Sequence, residues 1–312
     1  MSHRHESAYR PPNDPLRSGA HPLKRPRLLV VDLDGTLLNR QGRVSPANVA
    51  AVDRARAAGI EVVVATGRSW LEAREALAAI DHRGVFIGAG GAVLHESSSG
   101  RILARRTVDT ELVEAIATSI MHHGHLAHML QDPQETGADY VLVGDATLDA
   151  ASAWWFRTHP LAVRRFPTLA EARPIGATIR VGTVAVGEEL AHVAHALRVE
   201  LGDRVMMQHW PALTETEVTG SATHLLECFA PATNKWTMTE VLCRERGFAP
   251  SEVAAVGDGL NDVALIAHAG FGIAMGNADE RVTAVAKARV GHHDHDGFAE
   301  AVDLLLHPTV PA

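Results

Sequence analysis

The chain is 312 residues long, 46% hydrophobic and 21% charged, a composition that suits a globular protein of one large domain or two smaller ones. Against 29 Lys and Arg stand 37 Asp and Glu, and the formal net charge of −8 argues against nucleic acid as a partner. There is no apolar run near the ~20 residues of a membrane-spanning helix, no signal-peptide core in the polar first residues, and no CxxC spacing between Cys228 and Cys243; the expectation is no membrane, no disulfide, no zinc and a cytoplasmic location.

Residues 1–24 hold Pro11, Pro12, Pro15 and Pro22 with almost no apolar pattern and read as a disordered, solvated tail. The first element is the apolar run Arg27-Leu28-Leu29-Val30-Val31, a strand buried on both faces. Ser45-Pro46 then opens a helix through Ala58, with serine as N-cap, proline at the first helical position and Gly59 beyond the end. A second β-branched strand covers 60–65, a helix 69–80 and a third strand 85–87. This alternation predicts a parallel, doubly wound α/β layer.

From Gly88 the rhythm changes. Gly88-Ala89-Gly90-Gly91 reads as a hinge, and 92–94 with 101–106 as a hairpin around Ser97-Ser98-Ser99-Gly100. Helical patterns at 110–123 and 188–201 sit among strands near 139–143, 177–186, 204–208, 213–218 and 223–229. After Thr233 the parallel rhythm returns, with helix 233–246, strand 253–256, helix 260–267, strand 271–274, and helices 279–286 and 297–306. The expected architecture is an α/β fold: a Rossmann-like parallel-sheet core formed by 25–91 and 230–312, interrupted by an inserted α+β cap at 92–229.

Three strands end in polar motifs. The first runs into Asp32-Leu33-Asp34-Gly35-Thr36; residues two apart share a strand face, so both carboxylates leave the carboxyl edge of the sheet together, where open α/β sheets bind ligands. Two acids this close repel unless a cation or proton lies between them, and their oxygens suit Mg²⁺. An Asp-Gly turn alone explains Asp34-Gly35 but not a second aspartate closing an apolar strand. The second strand ends in Ala65-Thr66-Gly67-Arg68, ahead of a helix whose first N–H groups can hold an anion. The third ends in Gly257-Asp258-Gly259-Leu260-Asn261-Asp262, with Asp262 one helical turn beyond Asp258. Lys235, in Thr233-Asn234-Lys235-Trp236, reads by itself as a solvated helix lysine.

Taken in order, these segments resemble the haloacid dehalogenase-like phosphatase superfamily. Its DxDGT motif matches Asp32 to Thr36, its strand-end threonine Thr66, its lysine Lys235 and its GDxxND motif Gly257 to Asp262. Ala274-Met275-Gly276-Asn277-Ala278 and Asp296-Gly297 look like the Cof-type subgroup, which carries a type IIB α/β cap where the insert lies. The resemblance implies that Asp32 is the nucleophile that takes the phosphoryl group, and that Asp34 protonates the leaving group and later deprotonates water. It implies Mg²⁺ held by Asp32, the Asp34 carbonyl and Asp258, with Thr66 and Lys235 countering phosphoryl charge. Gly67, Arg68 and Asn261 become candidate phosphate contacts; Asp262, orienting Lys235 or a metal-bound water, and Asn277 become supporting residues. Two positions depart from the pattern: Cof-type relatives usually carry asparagine before the last hinge glycine, and glycine where Trp236 follows the lysine.

The expected activity is hydrolysis of a small phosphorylated metabolite, a sugar phosphate or a nucleotide- or flavin-type phosphate. A phosphomutase using the same aspartyl-phosphate is one alternative, and a non-catalytic ligand-binding protein on this scaffold another. The complete set Asp32, Asp34, Thr66, Lys235, Asp258 and Asp262 weighs against the second. The runs His122, His123, His125, His128 and His292, His293, His295 read as a helix end and a polar loop rather than metal tracts, and Trp154-Trp155 as cap core.

Overall fold

The computed structural model describes residues 25–211 and 223–307; the tail read at 1–24 and the strand expected at 213–218 lie outside them. The chain opens with β1 (Leu28–Val31), α1 (Pro46–Ala57), β2 (Glu61–Val64), α2 (Trp70–Ala79) and β3 (Val85–Gly88). Ser45 Oγ accepts from the Asn48 N–H at 3.1 Å and starts α1 around Pro46. In the first turn of α2, Glu72 takes the Ser69 N–H at 2.6 Å. Alternate side chains of β1 enter opposite cores: Leu29 and Val31 pack with Ala51 and Val52 of α1, Leu28 and Val30 with Met238 and Leu242 of a later helix. That two-sided burial keeps the strand apolar until Asp32.

Next comes the hairpin of β4 (Val93–Glu96) and β5 (Ile102–Arg105). Expected to open the insert, it instead extends the core. Strand β4 pairs antiparallel with β3, Ile87 opposite Leu94, and β3 meets the end of β2 through the Ala65–Ile87 bridge. A hairpin pattern tells that two strands pair with each other, not which sheet edge receives them, and here the free edge of β3 does. The chain leaves the core after Arg105, later than the expected boundary at Gly91-Ala92.

The insert contains α3 (Thr110–His122), β6 (Ala127–Gln131), the single turn α4 (Pro133–Thr136), β7 (Tyr140–Val143) and α5 (Ala150–Thr158), followed by β8 (Val163–Phe166), β9 (Thr178–Val186), α6 (Gly187–Leu201), β10 (Met206–Pro211) and β11 (Thr223–Phe229). Its strands form one sheet in the order β10-β11-β9-β6-β7-β8. On one face α3 and α6 bury Ile116, Ile120, Val193 and Leu197 against Met129, Val181 and Leu226. Strands β6 and β8 escape the sequence reading because His128 and Gln131 interrupt one apolar run and Arg164-Arg165 fill the centre of the other.

The core resumes with α7 (Lys235–Arg246), β12 (Val253–Gly257), α8 (Val263–His268), β13 (Phe271–Ala274), α9 (Glu280–Val285), β14 (Ala288–Arg289) and α10 (Gly297–Leu306). The helix expected from 260 begins as a 3₁₀ turn at Leu260–Asp262. The parallel sheet runs β14-β13-β12-β1-β2, so the fold is an α/β core with an inserted α+β unit. Chain order reverses at β1, and Val31 lies level with both Val256 and Val64. Three motif-bearing strands therefore release the chain at one height on one edge. The two crossings to the insert lie side by side, with Arg106 Nη2 donating to Pro231 O at 2.8 Å, and the β3–β4 turn abuts the returning chain, since a Cβ on Gly91, at φ +102°, would overlap the Asn234 carbonyl.

Candidate active site

At the shared sheet edge Lys235 Nζ lies 2.6 Å from Asp32 Oδ1 and donates to Asp262 Oδ1 at 2.7 Å. Lys235 is the first residue of α7, whose Asn234 cap accepts from the Thr237 N–H at 3.0 Å. It is 0% exposed, which overturns the reading of a solvated lysine. Burial works against its charge, yet Asp262 and Asp32 hold it well above its ordinary value. The second oxygen of Asp262 accepts the N–H groups of Asp258 and Gly259, each at 3.0 Å, so that carboxylate fixes both the lysine and the Asp258 loop.

Asp258 Oδ1 accepts from Thr36 Oγ1 at 2.8 Å, and its Oδ2 from Asn277 Nδ2 at 3.1 Å. Asn277 also reaches Gly35 O at 2.8 Å and so ties the first motif to the third. Gly35 sits at φ +73°, where a Cβ would overlap the Asp258 carboxylate, so glycine alone allows this approach. Asp32, Asp258 and Asp262 offer ligand oxygens within 4.8 Å of one another. With all three carboxylates ionised, the single ammonium would leave two negative charges uncompensated in a largely buried cluster. Burial, then repulsion from Asp262, pushes Asp32 well above the ordinary carboxyl range despite Lys235; the same two causes push Asp258 up to about 7. An all-oxygen donor set with this deficit fits a divalent cation.

The Asp34 carboxylate stands apart from that cluster. Arg68 grips both of its oxygens, Nε to Oδ2 at 2.9 Å and Nη2 to Oδ1 at 2.5 Å. The Arg68 N–H donates to the buried Thr66 Oγ1 at 3.2 Å, and its Nη1 to Glu72 O at 3.3 Å.

Over the site lies a cavity of about 420 Å³, a size that suits a small ligand. Asp32, Asp34, Gly67, Arg68, Asp258 and Asn261 line it from the core, whereas Thr66, Lys235 and Asp262 are fully buried. Its other side comes from the insert and includes Tyr140, Trp155, Arg180 and Glu227, none of which the sequence reading assigned to the site. Arg180 and Glu227 form an ion pair across neighbouring strands. Their one sequence signal is a charge in mid-strand, Arg180 between Ile179 and Val181. Arg180 Nη2 donates to the Tyr140 hydroxyl at 2.7 Å; that hydroxyl donates to Glu72 Oε1 at 3.2 Å, and Trp155 Nε1 to the same oxygen at 2.9 Å. Glu72 belongs to the core, so one carboxylate joins the two layers, a role hidden behind an ordinary Ser-x-x-Glu capping signature. Trp154 and Trp155, expected as cap core, are both half-buried, and Trp155 faces Glu72 and the cavity.

His292, His293 and Asp294 also place ligand atoms within 4.8 Å of one another. Asp294 is occupied by Arg40, which donates from its main-chain N at 2.9 Å and from Nε at 2.6 Å. His293 donates its N–H to Asn277 Oδ1 at 3.0 Å, so this loop braces the amide that holds Asp258.

A family model for haloacid dehalogenase-like hydrolases matches residues 29–302. The chain belongs to that family. Phosphatase YwpJ of Bacillus subtilis (strain 168) is 29% identical over 302 residues, covering 90% of this hydrolase and 100% of the relative. The 5-amino-6-(5-phospho-D-ribitylamino)uracil phosphatase YcsE of the same organism is 26% identical over 277 residues, 88% of this hydrolase and 94% of YcsE. A crystal structure of a haloacid dehalogenase-like hydrolase from Bacteroides thetaiotaomicron matches with a TM-score of 0.70 at 24% identity, covering 89% of this chain and 98% of that one. The expected fold class and family are upheld, and the enzyme is of the phosphatase kind. No helix among the described residues is long and apolar enough to cross a membrane.

Proposed function

We propose that the hydrolase is a Mg²⁺-dependent phosphomonoesterase that cleaves a small phosphorylated metabolite through an aspartyl-phosphate on Asp32. The observation that carries this reading is the cluster of Asp32, Lys235, Asp258 and Asp262 beneath the cavity. It sets a nucleophile beside a fixed ammonium and retains the charge deficit of a divalent cation. An oxygen of Asp32 bonds to phosphorus while the ester P–O bond breaks, and Asp34 gives its proton to the departing alkoxide. Water then attacks phosphorus, yields a proton to Asp34, and the acyl-phosphate P–O bond breaks to restore Asp32. Asp34 can move a proton only once Arg68 lets go of it. A bound phosphoryl group, itself an anion, competes with Asp34 for that guanidinium.

Lys235 offsets charge in both halves, while Thr66, Gly67 and Asn261 supply donors at the phosphoryl oxygens. Asp32, Asp258 and the Asp34 carbonyl would hold Mg²⁺, which when bound would add charge neutralisation there. The two relatives named above are phosphatases, which supports the reaction class. Purified protein with acetyl phosphate tests the reading. Phosphate release should need Mg²⁺ and stop with EDTA, and a rapid acid quench should find one phosphoryl group on the peptide that carries Asp32. Release undiminished after chelation, or a phosphoryl group trapped on another residue, overturns it.

A further inference from the structure

The insert's side of the cavity has a chemistry of its own. Trp155 and Phe156 of α5, Val184 of β9 and Leu225 of β11 line it. The Trp155 indole is fixed twice, by Glu72 at Nε1 and by His159, which stacks on it with centroids 3.8 Å apart and planes at 29°. Phe156 packs against Tyr140 edge-on, with centroids 5.3 Å apart. A preformed aromatic wall takes a flat ring with little further ordering. A polyol set against the same wall would leave hydroxyl groups unpaired.

The charges of the chamber are committed. Arg180 is paired with Glu227, and Arg68 is held by Asp34 until the phosphoryl group itself takes it, so a leaving group with its own carboxylate or second phosphate meets no free cation among these lining residues. Ser152 is different. It lines the chamber at 5% exposure, and its Oγ has no hydrogen-bond partner among the described residues. His128 also lines the chamber, lowered by burial to about 4, so its neutral ring has one donor and one acceptor nitrogen.

We propose that this chamber selects phosphate esters whose alcohol carries a flat nitrogen-heteroaromatic ring, over esters of polyols and esters with a second anionic group. The ring lies against Trp155, and its nitrogen, amino or hydroxyl groups meet Ser152 and His128. This rests on the phosphatase reading, and acetyl phosphate separates the two because its leaving group is too small to need the wall.

The experiment measures kcat/KM with Mg²⁺ for pyridoxine 5′-phosphate, benzyl phosphate, sorbitol 6-phosphate, phosphoglycolate and acetyl phosphate. Wild type, Trp155→Ala and Ser152→Ala are compared, each checked for folding by circular dichroism. Wild type should prefer pyridoxine 5′-phosphate to the sorbitol and glycolate esters by at least about tenfold, and Trp155→Ala should erase most of that preference. Ser152→Ala should lower the ratio of pyridoxine to benzyl ester by about fivefold or more, since only the former offers polar ring atoms. Where Trp155→Ala does not fold, Trp155→Leu and the wild-type ranking decide. Hydrolysis of acetyl phosphate with a preference for the sorbitol or glycolate ester overturns the proposal and leaves the phosphatase standing. Equal losses on every substrate in Trp155→Ala also overturn it, whereas no hydrolysis of acetyl phosphate by wild type overturns the phosphatase reading itself.

Discussion

On the core side of the cavity three carboxylates, Asp32, Asp258 and Asp262, share the single ammonium of Lys235, while on the insert side Arg180 and Glu227 are matched one to one. Both groups are largely buried, so the difference lies in charge balance rather than exposure. The core cluster is left with repulsion that an added cation relieves. The insert pair is complete as it stands, and its worth is in holding a shape. A site that needs its ligand sits against a wall that needs none, and stability and function are divided accordingly.

The sharpest way to probe that division is to neutralise the core side at Asp32, the proposed nucleophile. Asp32→Asn should lower kcat by about a thousandfold or more while the fold persists, measured as phosphate released in single and multiple turnover. Turnover within tenfold of wild type would remove Asp32 from the mechanism. On the insert side, Arg180→Met should destabilise the protein by about 3–5 kcal/mol, because it strands Glu227 in a buried site. A urea midpoint unchanged from wild type would show that the pair is not the brace described here.

Asp258→Asn should act in both directions at once: weaker Mg²⁺ binding by at least about tenfold, yet a metal-free melting temperature raised by about 2–4 °C. The sign follows from Asp258 binding its proton more tightly in the fold, at about 7, than at the ordinary 3.8. In the metal-free enzyme this carboxylate therefore destabilises the fold above about pH 7, and the penalty fades as the pH falls toward 3.8. Mg²⁺ binding should weaken as the pH drops below that upper value, since proton and cation compete for the same oxygens. Affinity independent of pH between 6 and 8 would break the assignment (the range brackets about 7). The smallest effect is expected at the junction of the two sides. Glu72→Gln keeps the shape but weakens the acceptor shared by Tyr140 and Trp155, by about 0.5–1.5 kcal/mol. Faster exchange of the Trp155 indole proton by NMR would register it, and unchanged exchange would deny Glu72 its part in joining the layers.

The core side was legible in the sequence because parallel strands make it local. Each motif follows directly on an apolar strand, and adjacent strands β12, β1 and β2 bring Asp258, Asp32 and Thr66 to one edge. Lys235 was placed only by resemblance, since a lysine opening a helix has no pattern that foretells two carboxylates. The insert side draws on β7, α5, β9 and β11 and meets α2 of the core, and no local spacing links Glu72, Tyr140, Trp155, Arg180 and Glu227. The β4–β5 hairpin was visible as a hairpin and assigned to the wrong unit, because edge pairing is a long-range choice.

The adjacency of the two crossings, where Arg106 reaches Pro231 and Thr233, bears on how the chain finds its fold. Strand β1 must pair with β12, setting Leu28 beside Val253, and the whole insert lies between them in the chain. Closing so long a loop through unstructured chain is entropically slow. If the insert folds first, it brings its own ends together and turns that long loop into two short ones. Refolding of the core sheet should then slow in variants that weaken only the insert, such as Arg180→Met, when followed by amide exchange at β1 and β12. Core refolding at the wild-type rate in that variant would mean that the sheet assembles without waiting for the insert.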